Sequence, residues 1–161
     1  MYDVAVIGCG IVGAAAAYEL SRYNCRVLVL EAKNDVANVT TKANSAILHA
    51  GYDPTPGTLM AETNVRGVAL AKELCEKLDV EREEIGSLVL AFGEEDERHL
   101  EKLYQQGLAN GVPGIELLTA DEVHALEPNV SDKVTAALYA PTAAIVSPWE
   151  YALALAETAV V

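Results

Sequence analysis

The sequence predicts an α/β fold that opens with a parallel βαβ unit. Residues 4–7 and 26–30 are short runs that are apolar at almost every position, a pattern typical of parallel strands buried on both faces. Between them, the alanine-rich segment from Gly13 to Leu20 favours a helix. We expect Asn24 to end that helix in the left-handed conformation, which asparagine tolerates.

The remainder of the chain alternates between helical and strand patterns. Apolar periodicity and β-forming runs predict helices over 59–78 and 94–110 and strands over 87–92, 134–139 and 143–146. Two S/T-x-x-E sequences, at Thr119 to Glu122 and at Ser147 to Glu150, predict capping boxes that start two further helices. Residues 35–56 lack periodicity and carry small polar side chains, which indicates a binding loop.

Composition excludes several classes of protein. The chain has 161 residues, 24 acids, 11 bases and 52% apolar residues, so it has the size and hydrophobicity of one folded domain and a net charge of −13. Such an acidic chain repels phosphate backbones, which argues against nucleic acid and against direct docking on an anionic membrane. With neither a transmembrane run nor a signal-peptide pattern, the sequence predicts a soluble, cytoplasmic protein.

The cysteines and histidines suggest no metal site. Cys9, Cys25 and Cys75 are odd in number and widely spaced, which indicates a reducing compartment and favours packing in the core over redox chemistry. The three histidines are scattered without a neighbouring ligand pair.

The most informative motif is a G-x-G-x-x-G sequence made by Gly8, Gly10 and Gly13. It follows the first strand and opens the first helix, and Glu31 stands eighteen residues after Gly13, at the end of the second strand. In a dinucleotide site the three glycines permit a tight turn, approach of a pyrophosphate to the backbone, and close helix–strand packing. The helix N-terminus attracts the negatively charged pyrophosphate. The Glu31 carboxylate would accept hydrogen bonds from the ribose hydroxyls and would repel the 2′-phosphate of NADP.

Two segments together resemble the FAD-dependent oxidoreductases of the D-amino-acid-oxidase-like superfamily. The first begins with residues 3–13 and continues to Glu31. The second is the sequence TKANSAILHAGY over 41–52, which is similar to the segment that wraps the flavin in that superfamily. Residues 56–59, 126–129 and 147–150 fit the same group, and within it the sequence is most similar to anaerobic-type bacterial glycerol-3-phosphate dehydrogenases and L-2-hydroxyglutarate dehydrogenases. The resemblance covers nearly the whole chain.

The resemblance implies a Rossmann-like, GR2-type FAD-binding domain with part of an α+β substrate domain. Residues 1–80 would form the FAD-binding βαβ unit with its flavin-wrapping loop and helix, 81–146 would start the substrate or cap domain, and 147–161 would form a helix returning to the FAD-binding domain. Members of the superfamily are much longer, so we expect these residues to be the N-terminal part of a longer polypeptide and to be inactive alone.

The resemblance also assigns the cofactor, FAD, to particular residues. The pyrophosphate would lie on Gly8, Gly10, Ile11, Val12 and Gly13, the adenosine ribose on Glu31 beside Ala32, and the ribityl chain and ring near Thr41, Lys42, Asn44, Ser45 and His49. For His49, a hydrogen-bonding or packing role is favoured over covalent attachment to the flavin. Lys42 either polarises the flavin or is simply solvated, and the sequence identifies no catalytic base.

The resemblance implies oxidation of glycerol 3-phosphate to dihydroxyacetone phosphate by hydride transfer to FAD. L-2-hydroxyglutarate or another 2-hydroxy acid is the first alternative substrate, and an amine is the next. A non-catalytic nucleotide-binding module is an alternative of another class, against which the long 40–52 loop argues. The partner is thus a small anionic substrate. The electron acceptor, homo-oligomer formation, partner subunits and peripheral attachment to the inner membrane face through such partners stay open.

Overall fold

The computed structural model describes residues 1–160, which form two compact units. The first unit contains Met1–Ile47, Lys72–Arg82 and the described residues from Val146 onward, and the second contains Leu48–Ala71 and Glu83–Ile145. Each unit is therefore assembled from separate segments of the chain, and the helix after Ser147 belongs to the unit that contains the N-terminal strands. The functional roles given to the cofactor and cap regions stay a prediction.

The elements follow one another along the chain as a mixture of helices and short strands. In order they are β1 (Val4–Ile7), α1 (Ile11–Ser21), β2 (Val27–Leu30), β3 (Ile47–Leu48), α2 (Leu59–Leu78), β4 (Arg82–Glu83), β5 (Ser87–Ala91), α3 (Glu94–Asn110), β6 (Glu116–Thr119), α4 (Ala120–Leu126), β7 (Ala136–Ala140), β8 (Ala144–Val146) and α5 (Pro148–Thr158). The mixed α/β class predicted from the sequence is confirmed.

The first unit contains the predicted βαβ motif. Strands β1 and β2 are parallel, with Val4 opposite Val27 and Ile7 opposite Leu30. The expectation that both faces of these strands are buried is wrong for β1, since Ala5 is exposed and Ile7 is 87% exposed. Helix α1 packs against both strands of this sheet, and only alternate residues of β1 are covered.

The end of α1 also differs from the prediction. Arg22, in the right-handed conformation, follows the last helical residue, and its backbone N–H bonds to carbonyls of the last turn. Asn24 does not adopt a positive φ, so the expected left-handed stop at that residue is wrong. Backbone bonding of the last turn ends the helix without it.

The core of the first unit lies between its helices and β2. Tyr18 of α1, Leu155 of α5 and Cys9 are buried together. Tyr18 also accepts a hydrogen bond from the Lys77 ammonium at 2.8 Å, so its buried hydroxyl is paired. Cys75 is 1% exposed, and burial raises the pKa of its thiol. Burial of Cys9 and Cys75 agrees with the packing role expected for these residues.

The second unit is built on an antiparallel sheet in the order β5-β7-β6. Ser87 lies opposite Ala140 on β5 and β7, and Glu116 lies opposite Tyr139 on β6 and β7. Leu138 of the central strand is fully buried, together with apolar residues of α3. Burying one such leucine contributes about 2 kcal/mol to the free energy of unfolding.

Both predicted helix starts occur at the expected residues. The Thr119 hydroxyl accepts from the Glu122 N–H while the Glu122 carboxylate accepts from the Thr119 N–H, so this capping box is complete. Ser147 accepts from the Glu150 N–H, with Pro148 as the first helical residue. Within residues 1–160, no helix is long and apolar enough to cross a bilayer.

Candidate functional site

The glycine-rich loop joins β1 to α1 in a geometry that depends on its glycines. Gly8 has φ +93°, in the region that favours glycine, and its N–H donates to the Leu30 carbonyl at 2.7 Å. A Cβ added at Gly13 would overlap the Gly8 carbonyl oxygen. The helix can therefore start this close to the strand only because position 13 has no side chain.

The N-terminus of α1 is open to an anion. Gly10 caps the helix with no side-chain acceptor, and the first turn contains no acidic residue. The partial positive charge at this end is thus not neutralised by an acid of the helix's own first turn. One N–H of that turn is used, since Ile11 donates to the Thr41 hydroxyl oxygen at 3.0 Å. A Cβ at Gly10 would lie 3.0 Å from the same hydroxyl oxygen, so Thr41 lies directly against the loop.

Glu31 braces the glycine-rich loop, a role that the sequence did not predict. One carboxylate oxygen accepts from the Cys9 N–H at 2.7 Å and the other from the Lys33 N–H at 2.9 Å. These two bonds, with a smaller contribution from the Ala32 backbone, hold the pKa of Glu31 below its usual range. A carboxylate has about four acceptor sites. Both oxygens of this charged group therefore retain capacity for sugar hydroxyls.

The residues around Cys9 tie the next loop to the glycine-rich loop. The Cys9 carbonyl accepts from the Ala37 N–H at 2.9 Å, and Ala37 has φ +56°. This is the left-handed region, which a glycine would adopt with less strain than an alanine. Burial, and next the charge of Glu31, raise the pKa of the Cys9 thiol, which keeps it neutral.

The residues of the first unit that were predicted to lie near the ribityl chain and flavin ring form a loop whose hydrogen bonds are mostly within the loop. The Lys42 ammonium donates to the Asn38 side-chain oxygen, and the Asn44 amide donates to the Thr41 carbonyl. Asn44 also accepts from the Ala46 N–H at 2.7 Å. Lys42, Asn44 and Ser45 are exposed. Of this set, the structure brings Thr41 to the glycine-rich loop and leaves the other side chains on the surface.

A cavity of about 460 Å³ lies beside Glu31 in the first unit. Its wall combines residues of β2 and apolar residues at and after the end of α5 with Cys9, Glu31 and Val36. A mostly apolar cavity with one oriented polar group is typical of a small-molecule site.

His49 belongs to the second unit. Its side chain is 54% exposed, and its Nδ1 lies 3.8 Å from a carboxylate oxygen of Asp53, itself 57% exposed. Gly51 stands between them with φ +108°, and a Cβ there would lie 2.5 Å from a Val65 methyl. The backbone turn that separates His49 from Asp53 therefore needs a glycine.

Comparison with known proteins gives one family. The family model described as FAD dependent oxidoreductase matches residues 3–160. The chain is 52% identical to a glycerol 3-phosphate dehydrogenase of Caloramator mitchellensis over 160 residues, which are 99% of this chain and 33% of that protein. It is 34% identical to the mitochondrial L-2-hydroxyglutarate dehydrogenase of Dictyostelium discoideum, over 91% of this chain and 33% of that protein.

A solved structure shows the same fold. The FAD-bound L-α-glycerophosphate oxidase of Mycoplasma pneumoniae is 34% identical to this chain and superposes with a TM-score of 0.90, covering 98% of this chain and 42% of the oxidase. The chain thus spans about a third of the length of the two curated relatives and less than half of the solved oxidase.

Proposed function

The chain belongs to the FAD dependent oxidoreductase family, and from this membership we propose that the protein oxidises glycerol 3-phosphate to dihydroxyacetone phosphate. The observation that carries the proposal is the similarity to the Caloramator mitchellensis glycerol 3-phosphate dehydrogenase, which exceeds the similarity to the Dictyostelium discoideum L-2-hydroxyglutarate dehydrogenase. L-2-hydroxyglutarate is the alternative substrate, because both are small anions with a secondary hydroxyl.

The residues of the first unit fit FAD. The open N-terminus of α1 suits the pyrophosphate, with Gly8, Gly10 and Gly13 leaving the backbone accessible. The free acceptor sites of Glu31 suit the hydroxyls of the adenosine ribose. The adjoining, mostly apolar cavity suits a ring of the same cofactor. When bound, FAD supplies the hydride acceptor of the reaction.

The charge of Glu31 also bears on the choice among dinucleotides. Its carboxylate, charged at neutral pH, would repel a 2′-phosphate and so disfavours NADP. Glu31 serves NAD and FAD equally well, and the family decides between them. On this proposal the first unit holds FAD, and the second begins the substrate domain of a cytoplasmic protein.

His49 is our candidate for the group that accepts the hydroxyl proton of the substrate. Half exposure leaves its imidazole accessible, and the Asp53 carboxylate lies on the Nδ1 side. In this proposal the other ring nitrogen, Nε2, accepts the proton. Covalent attachment of flavin is not required for this role.

Anaerobic reduction of the bound flavin tests the proposal. The full-length protein, purified with its FAD, is titrated separately with glycerol 3-phosphate, L-2-hydroxyglutarate and glycine, and loss of the oxidised flavin absorbance is followed. We expect glycerol 3-phosphate to bleach the flavin fastest, with dihydroxyacetone phosphate as the product. Bleaching by L-2-hydroxyglutarate without any by glycerol 3-phosphate would replace the proposed substrate with the alternative.

A further inference from the structure

Three side-chain amides hold the backbone of one short loop in the second unit. Asn64 of α2 and Gln106 and Asn110 of α3 form this amide clamp, and its target is the loop 49–54. The donor–acceptor pairs are Asn64 to the His49 carbonyl at 2.6 Å, Gln106 to the Tyr52 and Asp53 carbonyls at 3.3 and 3.2 Å, and Asn110 to the Gly51 and Pro54 carbonyls at 2.9 and 2.8 Å.

Other contacts restrain the same loop. Tyr52 is 7% exposed, and its hydroxyl lies 3.2 Å from the Ser87 hydroxyl. Gly51 is packed so closely on Val65 that it has no room for a side chain. Residues 50–52 and Pro54 are buried, so their backbone carbonyls need partners within the protein, and the clamp amides bond to three of these four. The density of these restraints indicates that the loop has a fixed geometry.

The clamp amides bond to the backbone of the loop and leave the side chains of His49 and Asp53 available. It binds the carbonyls of both His49 and Asp53, while their imidazole and carboxylate groups remain more than half exposed. An exposed pair of this kind gains little energy from its own attraction, so that attraction alone does not fix its geometry. The hydrogen bonds from the clamp amides to the backbone of His49 and Asp53 fix that geometry instead.

We propose that Asn64, Gln106 and Asn110 are positioning residues that hold the His49–Asp53 pair in the orientation required for substrate oxidation. The inference rests on the proposed function, in which His49 accepts the hydroxyl proton. Proton transfer requires hydrogen-bond contact, and misplacement of a reacting group by about 1 Å can cost a hundredfold in rate. Loss of one clamp amide should therefore slow turnover more than it weakens substrate binding.

Gln106→Ala and Gln105→Ala form a matched pair of variants on α3. Gln105 is exposed and donates its amide to Glu101 on the same helix at 2.9 Å, away from the loop. We expect Gln106→Ala to keep its FAD, to lower kcat about tenfold and to change KM less than about threefold. Amide hydrogen exchange over residues 50–54 should become faster in Gln106→Ala and stay unchanged in Gln105→Ala.

Asn110→Asp provides a second test with almost no change of shape. It replaces a donor with acceptor oxygens that face the Gly51 and Pro54 carbonyls, so it should accelerate exchange and lower kcat in the same way as Gln106→Ala. A kcat equal to that of Gln105→Ala, despite faster exchange of the loop, would show that the clamp serves stability alone. Unchanged exchange in both variants would show that the clamp does not hold the loop.

Failure of the proposed function gives a different result. If another compound of the titration series reduces the wild-type flavin while glycerol 3-phosphate does not, the substrate is wrong, and the same kcat and KM comparison is made with the active compound. The exchange measurement needs no substrate, so it can overturn the positioning role by itself.

Discussion

The glycine-rich loop of the first unit and the loop 49–54 of the second are held in opposite senses. In the first, side-chain oxygens of Glu31 and Thr41 accept from backbone N–H groups of Cys9 and Ile11. In the second, side-chain amide nitrogens donate to backbone carbonyls. Side chains therefore brace one loop through its backbone donors and the other through its backbone acceptors.

The difference matches the chemistry expected of each loop. A loop that must present N–H groups to a pyrophosphate is held by few acceptors, which leaves the helix N-terminus open. A loop that must present side chains is held by its carbonyls, which leaves those side chains available. The first set of restraints includes an ionisable carboxylate, whereas the clamp is neutral, so only the first should respond directly to pH.

The largest effect is expected for Gly13→Ala, which would break the first loop. The new Cβ overlaps the Gly8 carbonyl oxygen, a backbone atom that cannot move without displacing β1 or α1. We expect a loss of about 3 kcal/mol in the free energy of unfolding and complete loss of FAD. Denaturant unfolding and flavin content measure the two quantities.

Gly67→Ala is the control for that variant. Gly67 lies within α2, and an added Cβ there meets no atom within 4 Å. Alanine is the better helix former by about 1 kcal/mol, so this change should leave stability equal or higher. If Gly13→Ala behaved like Gly67→Ala, the close approach of α1 to β1 would not need a glycine.

A smaller effect is expected for Glu31→Gln, which sharpens the comparison through pH. The native pKa of Glu31 is depressed, so its contribution to stability is fully present above the unfolded-state pKa, about 4.3, and is lost as pH falls through the lower native value. Glutamine removes the charge and places an amide donor against one of the two N–H groups. We expect FAD affinity to fall about tenfold.

Thermal unfolding of wild type and Glu31→Gln, at neutral pH and at about pH 3.5, measures how the contribution of Glu31 to stability depends on pH. The difference in Tm between the two proteins should narrow at the lower pH, because the unfolded wild-type chain then binds a proton at Glu31 more readily than the folded protein, in which the pKa of Glu31 is lowered. Clamp variants such as Gln106→Ala should show no such narrowing. A constant difference for Glu31→Gln would mean that the carboxylate does not brace the loop through its charge.

Local patterns predicted much of the fold. The bounds of α2 and α3 coincide with the expected helices, and Thr119 and Ser147 cap helices where the S/T-x-x-E sequences predicted. These features depend on periodicity and on bonds within one turn. Strands β3 and β4 have two residues each, too short to carry a pattern, and were not predicted.

Contacts between distant residues could not be predicted in this way. The motif pointed to Gly10 and Glu31 as cofactor residues, but the bond from the Cys9 N–H to Glu31 joins residues 22 apart. The clamp bonds of Gln106 and Asn110 span more than 50 residues. The sequence identified His49 only through a resemblance, and nothing in its pattern indicated the amides that hold its loop.

The central claim is that the glycine-rich loop binds FAD and that the loop 49–54 positions the His49–Asp53 pair. The most direct test is to measure the flavin content of folded Gly10→Val and Gln106→Ala proteins side by side. Valine at position 10 directs its side chain at the Thr41 hydroxyl and covers backbone that the pyrophosphate would approach. We predict a folded Gly10→Val protein without flavin and a Gln106→Ala protein with full flavin and slow turnover. Full flavin content in folded Gly10→Val would contradict this assignment.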